Sequence, residues 1–259
     1  MEKYEETISE LNRRGLDVFS FDWRGQGLSG RMLPDPEKGF VRNYDDYLED
    51  LDLILEAVVR PGMRGKLYLL AHSMGGHIGL RYLYRNGHLF KRAVFSAPLI
   101  DIITHPYPRI FARWLSRMQI SKGNAHGIVV GAERRVPFSD QFRNNIWTSD
   151  RERFDRNRKR TLDHPELSAA MVTYGWVAAT YESIDALWKA VGNHPVKTPQ
   201  LFIAAGRDRV VSNRALRKFV SASGNGPPIV IEGARHEILL ETDRRRGIFW
   251  QVFDEFLGL

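Results

Sequence analysis

The chain has 259 residues, a net charge of +7, 43% hydrophobic and 27% charged residues, and no cysteine. That length suits one large α/β domain or a core carrying an insertion. Lack of Cys excludes disulfides, thiol nucleophiles and cysteine metal centres. No apolar run approaches the roughly 18–20 residues needed to span a bilayer. The positive charge comes with no helix-turn-helix, zinc or RNA-binding signature, so nucleic acid is not an expected partner.

Tyr4, Ile8 and Leu11 recur at helical spacing and predict a helix over 1–13. The turn Arg13-Arg14-Gly15 leads into an expected strand, Asp17-Val18-Phe19-Ser20-Phe21. The loop Asp22-Trp23-Arg24-Gly25-Gln26-Gly27-Leu28-Ser29 follows. Its glycines could suggest phosphate binding, but it lacks the third glycine and the helix of a dinucleotide site, so it reads as scaffold. A helix over about 43–59 places Leu48, Leu51, Ile54 and Leu55 on one face. A strand at 66–71, a helix at 74–86 and a strand at 92–97 come next. Near-continuous apolar strands alternating with helices predict a mostly parallel central sheet with helices on both faces.

Residues 101–195 break this rhythm with prolines, helix-like pieces and interleaved aromatics such as Tyr107, Phe111, Trp114, Trp147 and Trp176. They read as a helical cap, dividing the chain into core (1–100), cap (101–195) and core (196–259). Most of the aromatics are expected to pack the cap itself, with Trp147 and Trp176 as candidate pocket residues. The cap also holds the basic run Arg151-Glu152-Arg153 to Arg156-Asn157-Arg158-Lys159-Arg160. This is either a solvated face or a contact for anionic lipid headgroups.

The chemistry concentrates at three strand ends. Leu67-Tyr68-Leu69-Leu70 runs into Ala71-His72-Ser73-Met74-Gly75 and then a helix, the pattern of a nucleophile elbow. Small neighbours let a strained Ser stand at a helix N-terminus, where backbone N–H groups favour a negative oxygen. Leu201-Phe202-Ile203-Ala204-Ala205 is a strand ending in Gly206-Arg207-Asp208, and Pro227-Pro228-Ile229-Val230-Ile231 precedes Arg235-His236. Ser73, Asp208 and His236 thus follow the order nucleophile, acid, base. A Ser hydroxyl needs a base to take its proton, His titrates in the right range, and a carboxylate fixes its tautomer. The Met74 N–H is the expected oxyanion donor, and His72 is a further pocket candidate. No metal or cofactor is implied.

On these residues, with Phe21-Asp22-Trp23-Arg24-Gly25-Gln26-Gly27-Leu28-Ser29, Phe95-Ser96-Ala97-Pro98 and Thr173-Tyr174-Gly175-Trp176, the chain resembles the α/β-hydrolase superfamily. It is most similar to the lysophospholipase and monoacylglycerol lipase group, serine aminopeptidase-like enzymes, and within it to bacterial lysophospholipases of the L2 type. The resemblance implies an α/β-hydrolase fold and a serine hydrolase that cleaves an ester of a lysophospholipid or monoacylglycerol. Another ester or a small amide is the alternative. It also implies strands ahead of the first helix and a second oxyanion donor in a loop before it. These are expected to be missing here, with Met1 an internal methionine of a longer chain; a catalytically impaired form is the other reading. A lost donor costs about 10²–10³ in turnover. The expected location is cytoplasmic, with peripheral contact at the inner membrane surface.

Overall fold

The computed structural model describes residues 1–87, 89–104, 107–131, 141–167, 171–192 and 196–259. A 3-10 turn, Glu2–Tyr4, opens into α1 (Glu5–Arg13). The two-residue β1 (Lys38–Gly39) precedes α2 (Asp45–Ile54), which continues through a π-helical turn (Leu55–Val59) into α3 (Arg60–Gly62). Then come β2 (Tyr68–His72), α4 (Ser73–Asn86) and β3 (Arg92–Ser96). The middle region holds α5 (Arg109–Ser121), α6 (Arg151–Asp163), β4 (Met171–Val172) and α7 (Tyr174–Val191). The chain closes with β5 (Gln200–Ala205), α8 (Asn213–Ala222), β6 (Ile229–Ile231) and α9 (Asp243–Leu257).

β2, β3, β5 and β6 form one parallel sheet in the order β2-β3-β5-β6. Register aligns their C-terminal ends: His72 lies opposite Ser96, Ser96 opposite Ile203, and Ala205 opposite Ile231. The loops that follow β2, β5 and β6 therefore open on one edge, where parallel sheets place ligands. Alternation along the strands builds two cores. Ala93, Phe95, Phe202 and Ala204 pack with side chains of α2, α4 and α8. Their neighbours Val94, Ile203 and Ala205 pack with Leu11 of α1 and Phe249, Trp250 and Phe253 of α9. Period-two apolar runs buried on both sides are what a helix-covered parallel sheet requires.

One expected strand is absent. Residues 17–21 join no sheet, and β2 is the outer strand of its sheet among the described residues. β-Branched and aromatic residues such as Val18, Phe19 and Phe21 ready a segment for a ladder but do not supply its partner. A pairing that the sequence reading did not anticipate is β1 with β4, Lys38 opposite Met171, which ties the segment after the glycine loop to the middle region. That loop is stiffened internally: the Leu28 N–H donates to Asp22 Oδ2 at 3.0 Å, and Arg24 reaches Asp50 in bidentate fashion at 2.6 Å.

In the middle region, α5 is held to α7 by Arg113 and Asp185. α7 itself runs into the cores, burying Ala179 and Leu187 in one and Tyr181 and Ile184 in the other. The basic residues of α6 face α1: Arg153 and Arg156 both reach Glu6, at 2.6 and 2.7 Å, and Arg160 reaches Glu5 at 2.9 Å. These cations are largely answered by acids of α1, and Lys159 pairs with Asp163. Glu6 is held at about 2 by the hydrogen bond from Arg153, aided by Arg246, against the opposing effect of burial.

Candidate active site

Ser73 sits at the corner between β2 and α4 with φ +51°, one of two non-glycine residues with positive φ among those described. Such a conformation costs on the order of 1–3 kcal/mol and persists only where its surroundings impose it. The constraints are visible. The Leu99 N–H donates to the Ser73 carbonyl at 2.9 Å, and a Cβ on Gly76 would lie 2.8 Å from Pro98 Cβ. The turn Ala97-Pro98 thus presses on the first turn of α4 and holds the corner shut.

Beyond β5, the Asp208 carboxylate is fully buried. Its Oδ1 accepts from the N–H groups of Val210 and Val211 at 2.8 and 2.9 Å, which fixes its rotamer. Its Oδ2 faces His236 Nδ1 at 2.8 Å. Past β6, the chain turns at Gly233 (φ +75°) to bring His236 to the same edge. His236 Nε2 lies 2.8 Å from Ser73 Oγ. An ionised carboxylate can only accept, so Nδ1 carries the proton and Nε2 accepts from the Ser hydroxyl. The fold thus brings Ser73, His236 and Asp208 into one hydrogen-bonded chain across three strand ends.

Met74 is the second residue of α4, where backbone N–H groups lack intrahelical acceptors and the helix dipole favours an anion. A cavity of about 1660 Å³ opens over Ser73 and His236, and Met74, His72, Trp147 and Trp176 all line it. Apolar walls from the middle region include Phe111, Leu115 and Ile146. The cavity extends along the outer edge of β2, between Leu67–Leu70 and the extended residues 16–22. Trp147 lies edge-on to His236 with ring centroids 6.0 Å apart, whereas Trp176 sits farther along the wall against Tyr44.

Two buried carboxylates that the sequence reading overlooked organise the loop that carries His236. Glu241, fully buried, accepts from the N–H groups of Ser149 and Arg235 at 3.0 and 2.8 Å. The Arg235 guanidinium donates to the carbonyls of Asn145 and Thr148, Thr148 Oγ1 donates to Leu240, and the Glu237 N–H donates to Trp147. Residues 145–149 are thereby fastened to the loop that carries His236. The second carboxylate, Glu237, is 4% exposed and meets Lys3 Nζ at 2.8 Å. Burial alone would raise its pKa, but Lys3, with His72, holds it well below the usual carboxylate range. A visible cue was the spacing in His236-Glu237-Ile238-Leu239-Leu240-Glu241, where two acids stand in an otherwise apolar run. Acids in such a setting stay only when paired.

A family model described as "Serine aminopeptidase, S33" matches residues 1–243. The chain belongs to that family. This serine aminopeptidase S33 member is 33% identical to lysophospholipase L2 of Escherichia coli strain K12, over 99% of this chain and 76% of that protein. It is 28% identical to a probable lysophospholipase L2 of Haemophilus influenzae, over all of this chain and 80% of that protein. Among solved structures it resembles a soluble variant of the Saccharomyces cerevisiae monoglyceride lipase, with a TM-score of 0.74 and 18% identity over 99% of this chain and 82% of that one. The Paleococcus ferrophilus monoacylglycerol lipase gives a TM-score of 0.71 and 19% identity over 99% and 88% of the two chains. The S33 member therefore has the α/β-hydrolase fold, and it is a lipase-like carboxylic ester hydrolase.

Proposed function

We propose that this enzyme cleaves the ester of a lysophospholipid or monoacylglycerol through Ser73, His236 and Asp208. The observation that carries the reading is the unbroken chain from Ser73 Oγ through the His236 ring to Asp208 Oδ2, both hydrogen bonds 2.8 Å, with Ser73 held at positive φ. Ser73 Oγ attacks the ester carbonyl as His236 Nε2 takes its proton. The developing oxyanion is met by the Met74 N–H. His236 returns the proton to the leaving alcohol, and water then releases the acyl group from Ser73 by the same route. Asp208 keeps the imidazole in the productive tautomer and stabilises its charged form.

The lipid class is supported by the printed names of the relatives and by the apolar walls over Ser73. Residues 101–195 serve as a cap in this reading. Peripheral contact with an anionic membrane at the cytoplasmic face belongs to it too, and the support lies on α5 rather than α6. Tyr107, Ile110 and Trp114 are each more than half exposed, beside Arg117 and beside Arg109 and Arg113, which pair with Asp101 and Asp185. An apolar face flanked by arginines suits a helix lying in a lipid interface. No described helix is long and apolar enough to cross a membrane. The family description favours one second reading, hydrolysis of an aminoacyl amide by the same three residues.

The test is a fluorophosphonate probe followed by a substrate panel. Labelling is expected at Ser73 and lost in Ser73→Ala. Turnover is expected to be fastest on long-chain lysophospholipid or monoacylglycerol. Faster turnover of an aminoacyl anilide selects the second reading, and labelling at another residue overturns both.

A further inference from the structure

The residue after the proposed base belongs to a second polar cluster that the reaction scheme leaves unused. Glu237 Oε1 meets Lys3 Nζ at 2.8 Å, and its Oε2 lies 3.4 Å from the Tyr4 hydroxyl and 3.3 Å from His72 Nε2. His72 immediately precedes Ser73, and its Nδ1 lies 3.0 Å from the Ser96 carbonyl. A carbonyl only accepts, so Nδ1 carries a proton, while Nε2 faces the Glu237 carboxylate at 3.3 Å. The His72 and His236 rings stack obliquely with centroids 4.8 Å apart. Three elements thus meet at Glu237: the N-terminal turn, the end of β2 that carries the nucleophile, and the loop that carries the base.

We propose that Glu237 is a positioning residue for His236. It braces the base loop between Lys3 and the nucleophile strand, and it adds a fixed negative charge that favours the imidazolium formed during turnover. This rests on the Ser73–His236–Asp208 reading above. Asp208 holds the far side of the imidazole, so the two carboxylates divide the work. Asp208 sets the tautomer by direct contact, and Glu237 acts through the loop and through space. The groups facing Glu237 are Lys3 and Tyr4 from the N-terminal turn, His72 from β2, and His236 from its own loop. Lys3 is the partner that keeps the buried carboxylate ionised, and the oriented pair stays beside the base as His236 gains and loses its proton.

The experiment measures kcat and KM against pH on a soluble short-chain ester, with melting temperatures, for Ser73→Ala, Glu237→Gln and the double variant Lys3→Met with Glu237→Gln. Glu237→Gln removes the negative charge beside the imidazolium that forms in turnover, so the acid limb of kcat/KM should move to lower pH. The expected kcat loss is about tenfold with KM within about twofold, the signature of an interaction made in the transition state. The double variant leaves no unpaired Lys3, so it should regain most of the lost melting temperature while keeping a lowered acid limb. An unmoved acid limb in Glu237→Gln overturns the proposal. So does a double variant whose rate and pH profile return to wild type along with its stability. Should Glu237→Gln fail to fold, the double variant decides alone by the same criterion. Turnover that persists in Ser73→Ala overturns the triad and this role together; its loss there with an unmoved acid limb in Glu237→Gln overturns this role only.

Discussion

The inner and outer strands of the main sheet are built to different standards. β3 buries four consecutive residues, Ala93 to Ser96, and β5 does the same from Phe202 to Ala205. β2, which delivers the nucleophile, buries only Ala71, and Tyr68, Leu69, Leu70 and His72 are partly exposed. Asp208 hangs from a strand locked on both faces. Ser73 hangs from a strand with one open edge, and its corner is held instead by local contacts with Pro98 and Leu99. Stability and reactivity are thus drawn from different places, and the two can be separated by substitution.

The sharpest break is Asp208→Asn. It keeps the shape of the buried side but removes the acceptor that fixes the His236 tautomer, so turnover should fall by about 10⁴ with little change in melting temperature. A turnover assay paired with a thermal melt checks this, and a loss of folding alongside the rate would show that the two sides are not separable. Next, Phe202→Ala, in the locked strand, should cost about 3–5 kcal/mol. Leu69→Ala, in the open strand, should cost roughly 1–2 kcal/mol because less area leaves water there. Denaturant melts of both proteins measure the gap, and equal costs would remove the contrast.

Gly76→Ala tests the local brace. Its Cβ would press on Pro98 at 2.8 Å, so a cost of about 1–3 kcal/mol is expected. Turnover should also drop, since the corner that positions Ser73 must shift. A pH slope supplies the last test. His77, fully buried on α4, contacts the Leu99 carbonyl and Ser183 and is pushed down to about 3, chiefly by burial. A base whose folded pKa is depressed is protonated first in the unfolded chain. Its contribution is therefore complete above about 6.5 and falls away as pH drops toward about 3, by up to about 1.4 kcal/mol per unit. Urea melts across this range should show a slope that flattens in His77→Gln.

Much of this was readable because the chemistry rides on strand ends. A buried apolar run followed by a small-residue corner, or by an Asp or His, marks a position in space as well as in sequence. Ser73, Asp208 and His236 could therefore be grouped before any coordinates. What could not be read depended on partners far away in the chain. Residues 17–21 carry Val18, Phe19 and Phe21 and read as a strand, but a ladder needs a neighbour that local pattern cannot reveal. The cationic run of α6 read as a solvated face or a lipid contact, and neither reading revealed its pairing with Glu5 and Glu6, about 150 positions away in sequence. Glu237 and Lys3 are separated by 234 positions, and neither stands out alone.

The fastening of 145–149 to the base loop has a kinetic consequence. Glu241, Arg235 and the Trp147 carbonyl make that lip of the cavity and the His236 loop one cooperative unit, which opens or stays closed as a whole. Any excursion that peels this lip away also slackens the seat of His236, so the enzyme idles while it is open. On the α5 side, the ties to α7 are the part-buried pair of Arg113 with Asp185 and the longer contact of Arg109 with the same carboxylate. Amide exchange should reveal the asymmetry as slow, matched protection for Ser149 and Arg235 beside faster opening along α5.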